Sequence, residues 1–247
     1  MRVHVLGRIS IEGPSGLVDE SELPGSLGRV ALVSLVLAHG PISRDALADT
    51  LWGDDLPAEW GASLSATLSK IRTALARAGV DRSRLTTTSG AIELTLPAGA
   101  WVDLEDGIRR LDRAESSLRH DDVIPALIDA TVSSSILARS FLPGVDHRWI
   151  DEIRRDVVNR RVRSLEVLAD GWRLEGDPQL AYTAARLIIG IDPISEHGYR
   201  LAMEACLAMG EHGRCRQIYD ECCETLFREL GVEPSPETSA LGRVADA

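Results

Sequence analysis

The first residues of the chain alternate. Val3 and Val5, then Ile9 and Ile11, are apolar with polar residues between them, which is the two-residue period of half-buried strands. "EGPSG" turns the chain, and Leu17 and Val18 leave room for one more short strand. From Leu27 to Ala38, "LGRVALVSLVLA" is nearly all apolar and "HGP" ends it, so it predicts a buried helix. Ser43 stands in an N-cap position before "RDALADTLW", where its hydroxyl can accept from a free backbone N–H; Leu47 and Leu51 mark that helix's inner face. "GASLSATLSKIRTAL" (61–75) places Leu64, Leu68, Ile71 and Leu75 at i, i+4, i+7 and i+11, one side of a third helix. Its other side shows Ala62, Ala66, Ser69, Lys70, Thr73 and Arg77, flanked by Ser63, Ser65, Thr67 and Arg72. "LTTTSGAIELTL" then reads as a hairpin, with Ile92, Leu94 and Leu96 alternating and Ser89-Gly90 as its turn.

Strands, three helices and a hairpin, in that order, predict a winged helix-turn-helix over residues 1–103. In that fold the third helix enters the major groove and the hairpin is the wing. The DNA face would then comprise Ser63, Ser65, Thr67, Ser69, Lys70, Arg72, Thr73 and Arg77, with Thr87 and Thr88 at the wing. Hydroxyls suit phosphate or either base type, and a cation can pair with guanine. Each residue also has an ordinary reading: threonines belong in strands, and Arg72 fits a surface ion pair as well as a base.

Beyond residue 104 the pattern becomes helical and repeats. Gly176 and Gly210 lie 34 positions apart, as do Leu165 and Tyr199, Ala181 and Cys215, Ala185 and Tyr219, and Ile188 and Cys222. A period near 34 is that of tetratricopeptide units, two antiparallel helices per repeat, here turning at "EGDP" and "MGEHG" and separated by Asp192-Pro193. A looser helical pair covers about 104–138. The expected fold is mainly α: a winged helix-turn-helix with small β-sheets, then an all-α tetratricopeptide-like domain over 104–247. A fragment ending near Asp103 is expected to fold by itself.

Composition complicates the DNA reading. The net charge is −11, and Lys70 is the single lysine. Residues 1–103 hold 9 Lys+Arg against 12 Asp+Glu, or −3; the remaining 18 against 26 leave −8. Nucleic acid favours basic domains, so a DNA site here must be a local patch. No apolar run reaches membrane-spanning length and "MRVHVLGRIS" lacks a signal-peptide pattern, so a cytoplasmic protein is expected. Cys206, Cys215, Cys222 and Cys223 match no CxxC spacing and read as buried, reduced residues. Trp52, Trp60, Trp149 and Trp172 read as helix-packing residues. The six histidines form no HxxxH or HxxE pair and there is no GxSxG, so no enzyme, metal or cofactor is expected. "DEIRRDVVNRRVR" (151–163) reads as a solvated helix with ion pairs to Asp151, Glu152 and Asp156, or as a contact for another protein.

"YDECCETLFRELGVEPSPET" (219–238), "FLPGVDHRWIDEIRRDVVNRR" (141–161) and "LIIGIDPISEHGYRLAMEACLAMGEHGRCRQIY" (187–219) resemble the bacterial transcriptional activator domain. "LWGDDLPAEWGASLSATLSKIRTAL" resembles its usual partner, an OmpR-type winged helix. Together they resemble the antibiotic regulatory protein (SARP) family of transcriptional activators, across nearly the whole chain. The resemblance implies binding to direct repeats near a promoter and recruitment of RNA polymerase through its sigma and alpha subunits. It puts Lys70 and Arg72 at the positions that most often touch bases, although Ala62 and Ser69 stand where such helices usually carry arginine. Two copies side by side, a homodimer on DNA, would add phosphate contacts by effective concentration. The ATP-binding pattern G-x-x-x-x-G-K-[ST] of larger relatives is missing, and no room is expected for a phosphopeptide-binding domain. The alternative is a tetratricopeptide-like protein- or ligand-binding module whose winged helix no longer binds DNA.

Overall fold

The computed structural model describes residues 1–88 and 90–244. Strands β1 (Arg2–His4), β2 (Ser10–Gly13) and β3 (Gly16–Asp19) form an antiparallel meander. Helix α1 (Gly25–Leu37) follows and buries Val30, Ala31, Leu32, Val33, Leu35 and Val36, as its unbroken apolar run requires. Strand β4 (Ile42–Ser43) leads into α2 (Arg44–Trp52), where the Ser43 hydroxyl accepts from the Ala46 N–H at 3.0 Å. Helix α3 (Trp60–Arg77) buries Leu64, Leu68, Ile71 and Leu75 completely or nearly so, as the stripe predicts. Strands β5 (Leu85–Thr88) and β6 (Ala91–Leu94) make the hairpin, and β4 joins it in the order β4-β6-β5. Gly90 takes φ +88°; the predicted turn residue Ser89 lies outside the described residues.

Strand β7 (Trp101–Val102) pairs in parallel with β1 and completes the first sheet, ordered β3-β2-β1-β7. Val102, Val3, Ile11 and Val18 stand opposite one another across it and are at most 2% exposed. This buried row is why the odd positions of the first strands read as apolar. At the β2–β3 turn, Ser15 N–H donates to the Ala78 carbonyl at 3.1 Å, and a Cβ on Gly13 would stand 2.1 Å from that oxygen. Only glycine lets the first hairpin approach the end of α3 this closely.

The remaining elements are helices: α4 (Asp103–Arg119), α5 (Val123–Leu137), α6 (Arg148–Leu174), α7 (Pro178–Ile191), α8 (Glu196–Ala208), α9 (His212–Leu230) and α10 (Pro236–Val244). The chain forms two compact units. One is Met1–Asp106 with Arg139–Val157; the other is Gly107–Ala138 with the residues from Val158 onward.

In the first unit the stretch after Arg139 returns to the winged helix. Asp103 is wholly buried. Its Oδ1 accepts from Val5 N–H at 2.8 Å and Leu104 N–H at 2.9 Å, and its Oδ2 from Leu6 N–H at 3.3 Å. His4 and Arg139 each stand 3.6 Å from the same carboxylate. Leu6 bridges to Phe141, and Gly7 N–H donates to the Ser140 carbonyl at 2.7 Å. Trp149 Nε1–H donates to the Thr50 carbonyl at 3.2 Å, and its ring meets Phe141 edge-on. Arg154, read from sequence as surface charge, donates to the carbonyls of Phe141 (2.9 Å), Val145 (3.0 Å) and Leu142. Its Nη1 also pairs with Asp151 at 2.9 Å, an ion pair of the kind the solvated-helix reading expects.

In the second unit, repeat-matched positions share one core. Leu165, Tyr199, Ala185, Ile188, Cys215 and Cys222 belong to it, and Tyr219 packs half-buried against it. Gly176 (φ +78°) and Gly210 (φ +73°) end α6 and α8 in the left-handed conformation that closes a helix before its partner begins. Asp129 on α5 takes Arg113 at both oxygens and Arg110 at one, joining α4 to α5. The Arg113 hydrogen bond holds the Asp129 carboxyl below its ordinary pKa.

Cys206, Cys215 and Cys222 are fully buried. Burial pushes the Cys206 thiol up to about 11 and the Cys222 thiol up to about 12. Since the thiolate is the nucleophile, well under one part in about a hundred of either thiol is reactive at pH 8. Iodoacetamide at that pH should therefore label Cys206 and Cys222 only after denaturation. Rapid labelling of either in the native protein, read by peptide mass, would contradict this burial. Among the described residues no three His, Cys, Asp or Glu side chains gather into a metal-binding set, and no helix is long and apolar enough to cross a membrane.

Candidate nucleic-acid interface

With its apolar stripe against the core, α3 turns Ala62, Ser63, Ser65, Ala66, Ser69, Lys70, Thr73 and Arg77 to solvent. Ser63, Lys70 and Arg77 recur every seven residues and so share a side. Thr87 and Thr88 of β5 are exposed as well. Thr67 is not part of this face. It is 7% exposed and its hydroxyl donates to the Ser63 carbonyl at 2.9 Å. One residue before Leu68, it falls on the rim of the buried stripe.

The hydroxyls are not equivalent. Ser65 donates to the Gly61 carbonyl at 2.8 Å and Thr73 to the Ser69 carbonyl at 3.1 Å. A hydroxyl whose proton goes to its own helix offers only lone pairs outward. Ser63 and Ser69 make no such bond among the described residues, so their protons can be given to a phosphate.

The cations also differ. Arg72 is half-buried; its Nε–H donates to the Leu85 carbonyl at 2.9 Å and an Nη2–H to the Thr87 hydroxyl at 2.8 Å. It fastens the wing to α3, with two of its five N–H donors engaged there. Arg77 forms an ion pair with Glu22, in the 3-10 turn Glu20–Glu22 before α1. Among the described residues, Lys70 is the cation of α3 that has no protein partner.

Two residues absent from the sequence-predicted set border the face. Arg44, at the start of α2, donates to the Gly61 carbonyl and the Ser65 hydroxyl, both at 3.1 Å, while its backbone N–H donates to the Gly90 carbonyl at 2.8 Å. A cation in a helix's first turn opposes the helix dipole, and that was the available sequence signal. Glu22 had none: its link to Arg77 spans 55 residues. A cavity of about 370 Å³ lies between the two, walled by Glu22, Pro24, Ser69, Lys70, Thr73 and Arg77.

The model of the bacterial transcriptional activator domain matches residues 102–244. Regulatory protein AfsR of Streptomyces griseus is 26% identical over 246 residues, 95% of this chain but 24% of its own length. The solved structure of Mycobacterium tuberculosis EmbR in complex with a low-affinity phosphopeptide superposes with a TM-score of 0.84 at 19% identity. That match covers 99% of this chain and 64% of EmbR, and it shows the shared fold. The chain thus spans about a quarter of the curated relative and under two thirds of the solved one. Matched by the family model over more than half its length, the chain belongs to the bacterial transcriptional activator domain family.

Proposed function

We propose that the chain is a sequence-specific DNA-binding activator of cytoplasmic location, with α3 in the major groove and the β5–β6 wing on the backbone. The observation that carries this reading is the disposition of α3. One face is locked into the core by Leu64, Leu68, Ile71 and Leu75, and the opposite face is bare, with Lys70, Ser63 and Ser69 free to donate. Residues 1–103 supply the DNA reading and residues 104–247 the contact with RNA polymerase through its sigma and alpha subunits. The targets are direct repeats, bound by two copies side by side. One observation favours the second reading, a protein- or ligand-binding module without DNA: two of the three cations of α3 are already taken by Glu22 and the wing, in a chain of net charge −11.

Gel shift against the duplex upstream of its own gene, at low and physiological salt, separates the two. A DNA reader binds that duplex in preference to random DNA and weakens as salt rises through counterion release. No preference at either salt would leave the module reading. Within the DNA reading, Lys70→Ala should cost roughly 1–3 kcal/mol of discrimination without changing the melting temperature. Arg72→Ala should instead lower thermal stability by about 1–3 kcal/mol, because it strips a donor from the Leu85 carbonyl. If the two variants behave alike in both assays, the division of roles between Lys70 and Arg72 is wrong.

A further inference from the structure

The cavity between α3 and the turn before α1 carries a carboxylate where a DNA-reading helix would hold a phosphate. Lys70, Thr73 and Arg77 lie on consecutive turns of α3 and wall it on one side; Glu22 walls it on the other. Glu22 is held in place by its own turn. Its Oε1 accepts from the Asp19 N–H at 3.4 Å, the reciprocal half of a capping box in which the Asp19 side chain receives the Glu22 N–H, and its Oε2 pairs with Arg77. Glu22 is about a quarter exposed and Arg77 about three fifths exposed, so the pair sits at the mouth of the cavity. A carboxylate and a phosphodiester each bring one negative charge and acceptor oxygens to a guanidinium, and they compete for its donors.

We propose that this cavity is a seat for a backbone phosphodiester of duplex DNA, occupied in the free chain by the Glu22 carboxylate. The inference rests on the DNA-reading function proposed above. A phosphate entering the seat takes over Arg77 and displaces Glu22, while Lys70 at the cavity's edge stays with the bases. Exchange of one anion for another on Arg77 gains little, so Arg77 adds little to the pull of any duplex. Glu22 therefore lowers binding to DNA of arbitrary sequence and leaves preference to the base-facing residues of α3. This use of an internal acid accounts for a basic residue on the recognition helix that contributes no free positive charge.

The test uses the full chain and its Glu22→Gln variant. Glutamine keeps an oxygen for the Asp19 N–H and removes only the charge, so the turn should survive; equal thermal melting of the two proteins checks this. Fluorescence anisotropy on a random duplex over a salt series should show Glu22→Gln binding about three- to tenfold tighter than the parent, with log K falling more steeply with log salt by about one phosphate contact. Adding Arg77→Ala to Glu22→Gln should return affinity and slope to near the parent values. Binding by Glu22→Gln equal to that of the parent overturns the seat while leaving the DNA reading intact. Tight binding that persists in the double variant shows that Arg77 is not the seat's cation and overturns it too. If neither parent nor Glu22→Gln binds any duplex at low salt, the DNA reading itself fails and the seat with it. If only Glu22→Gln binds, the carboxylate masks the helix completely, and both are supported.

Discussion

Replacing Asp103 by alanine is expected to destabilise the unit containing the winged helix by about 3–5 kcal/mol, the range for stripping a buried ion pair of one member. The carboxylate is wholly buried and receives three backbone N–H groups, those of Val5, Leu6 and Leu104. Alanine leaves these donors with no acceptor at that place, and each unpaired buried group costs about 1–3 kcal/mol. Arg139 is two fifths exposed and can turn to water, which limits its share of the loss. Asp103→Asn should lose about half as much, since one side-chain oxygen still accepts while the amide turns its own hydrogens toward donors. Urea unfolding followed by tryptophan fluorescence reports the right unit: Trp52, Trp60, Trp101 and Trp149 belong to it and Trp172 to the other. A midpoint unchanged by Asp103→Ala would show that the three amides find other acceptors.

The second large effect concerns truncation. A fragment ending at Asp103 should show no cooperative unfolding transition, contrary to the expectation from sequence. The first unit buries Phe141, Leu142, Val145 and Ile150 among its own residues. Full burial of four such side chains is worth roughly 6–12 kcal/mol, which is comparable to the whole stability of an ordinary domain. Cutting them away also uncovers Leu6, frees the Thr50 carbonyl from Trp149 and removes Arg154 with the loop it secures. Far-ultraviolet dichroism through a urea series is the measurement. A sharp transition in the fragment at the full chain's midpoint would mean that residues 139–157 decorate the winged helix and do not complete it.

What could be read from the sequence was what repeats locally. The stripe of α3, the Ser43 cap, the β5–β6 hairpin and the 34-residue spacing each arise from a face that one element must bury, and burial leaves a period. Strands β4 and β7 are two residues long and too short to show one. The role of Asp103 depends on residues 97 and 98 positions away, and the return of Phe141 to Leu6 depends on contacts just as remote. The interface divides the same way. Periodicity correctly turned Lys70, Ser63 and Ser69 outward, but it could not tell which cation another segment would engage. Arg72 was taken by β5, Arg77 by Glu22, and Thr67 by the backbone of its own helix. Exposure follows from local pattern; the availability of a charge follows from tertiary structure.

The parallel pairing of β1 with β7 also sets an order of events during synthesis. Strand β1 leaves the ribosome early, yet its neighbour β7, the Asp103 carboxylate and the Phe141 ring follow about a hundred residues or more later. At about 5–20 residues per second, residue 157 trails residue 4 by roughly 8–30 s. For roughly the first 5–20 s of that interval the first hairpin waits with one edge unpaired, and Leu6 stays uncovered until Phe141 arrives. Closing so long a loop is a late and entropically costly step, so the winged helix should be among the last parts of its unit to become native on a growing chain. An early pause or a slow codon run before residue 157 would prolong the aggregation-prone state, whereas the same delay placed after it would leave this unit untouched.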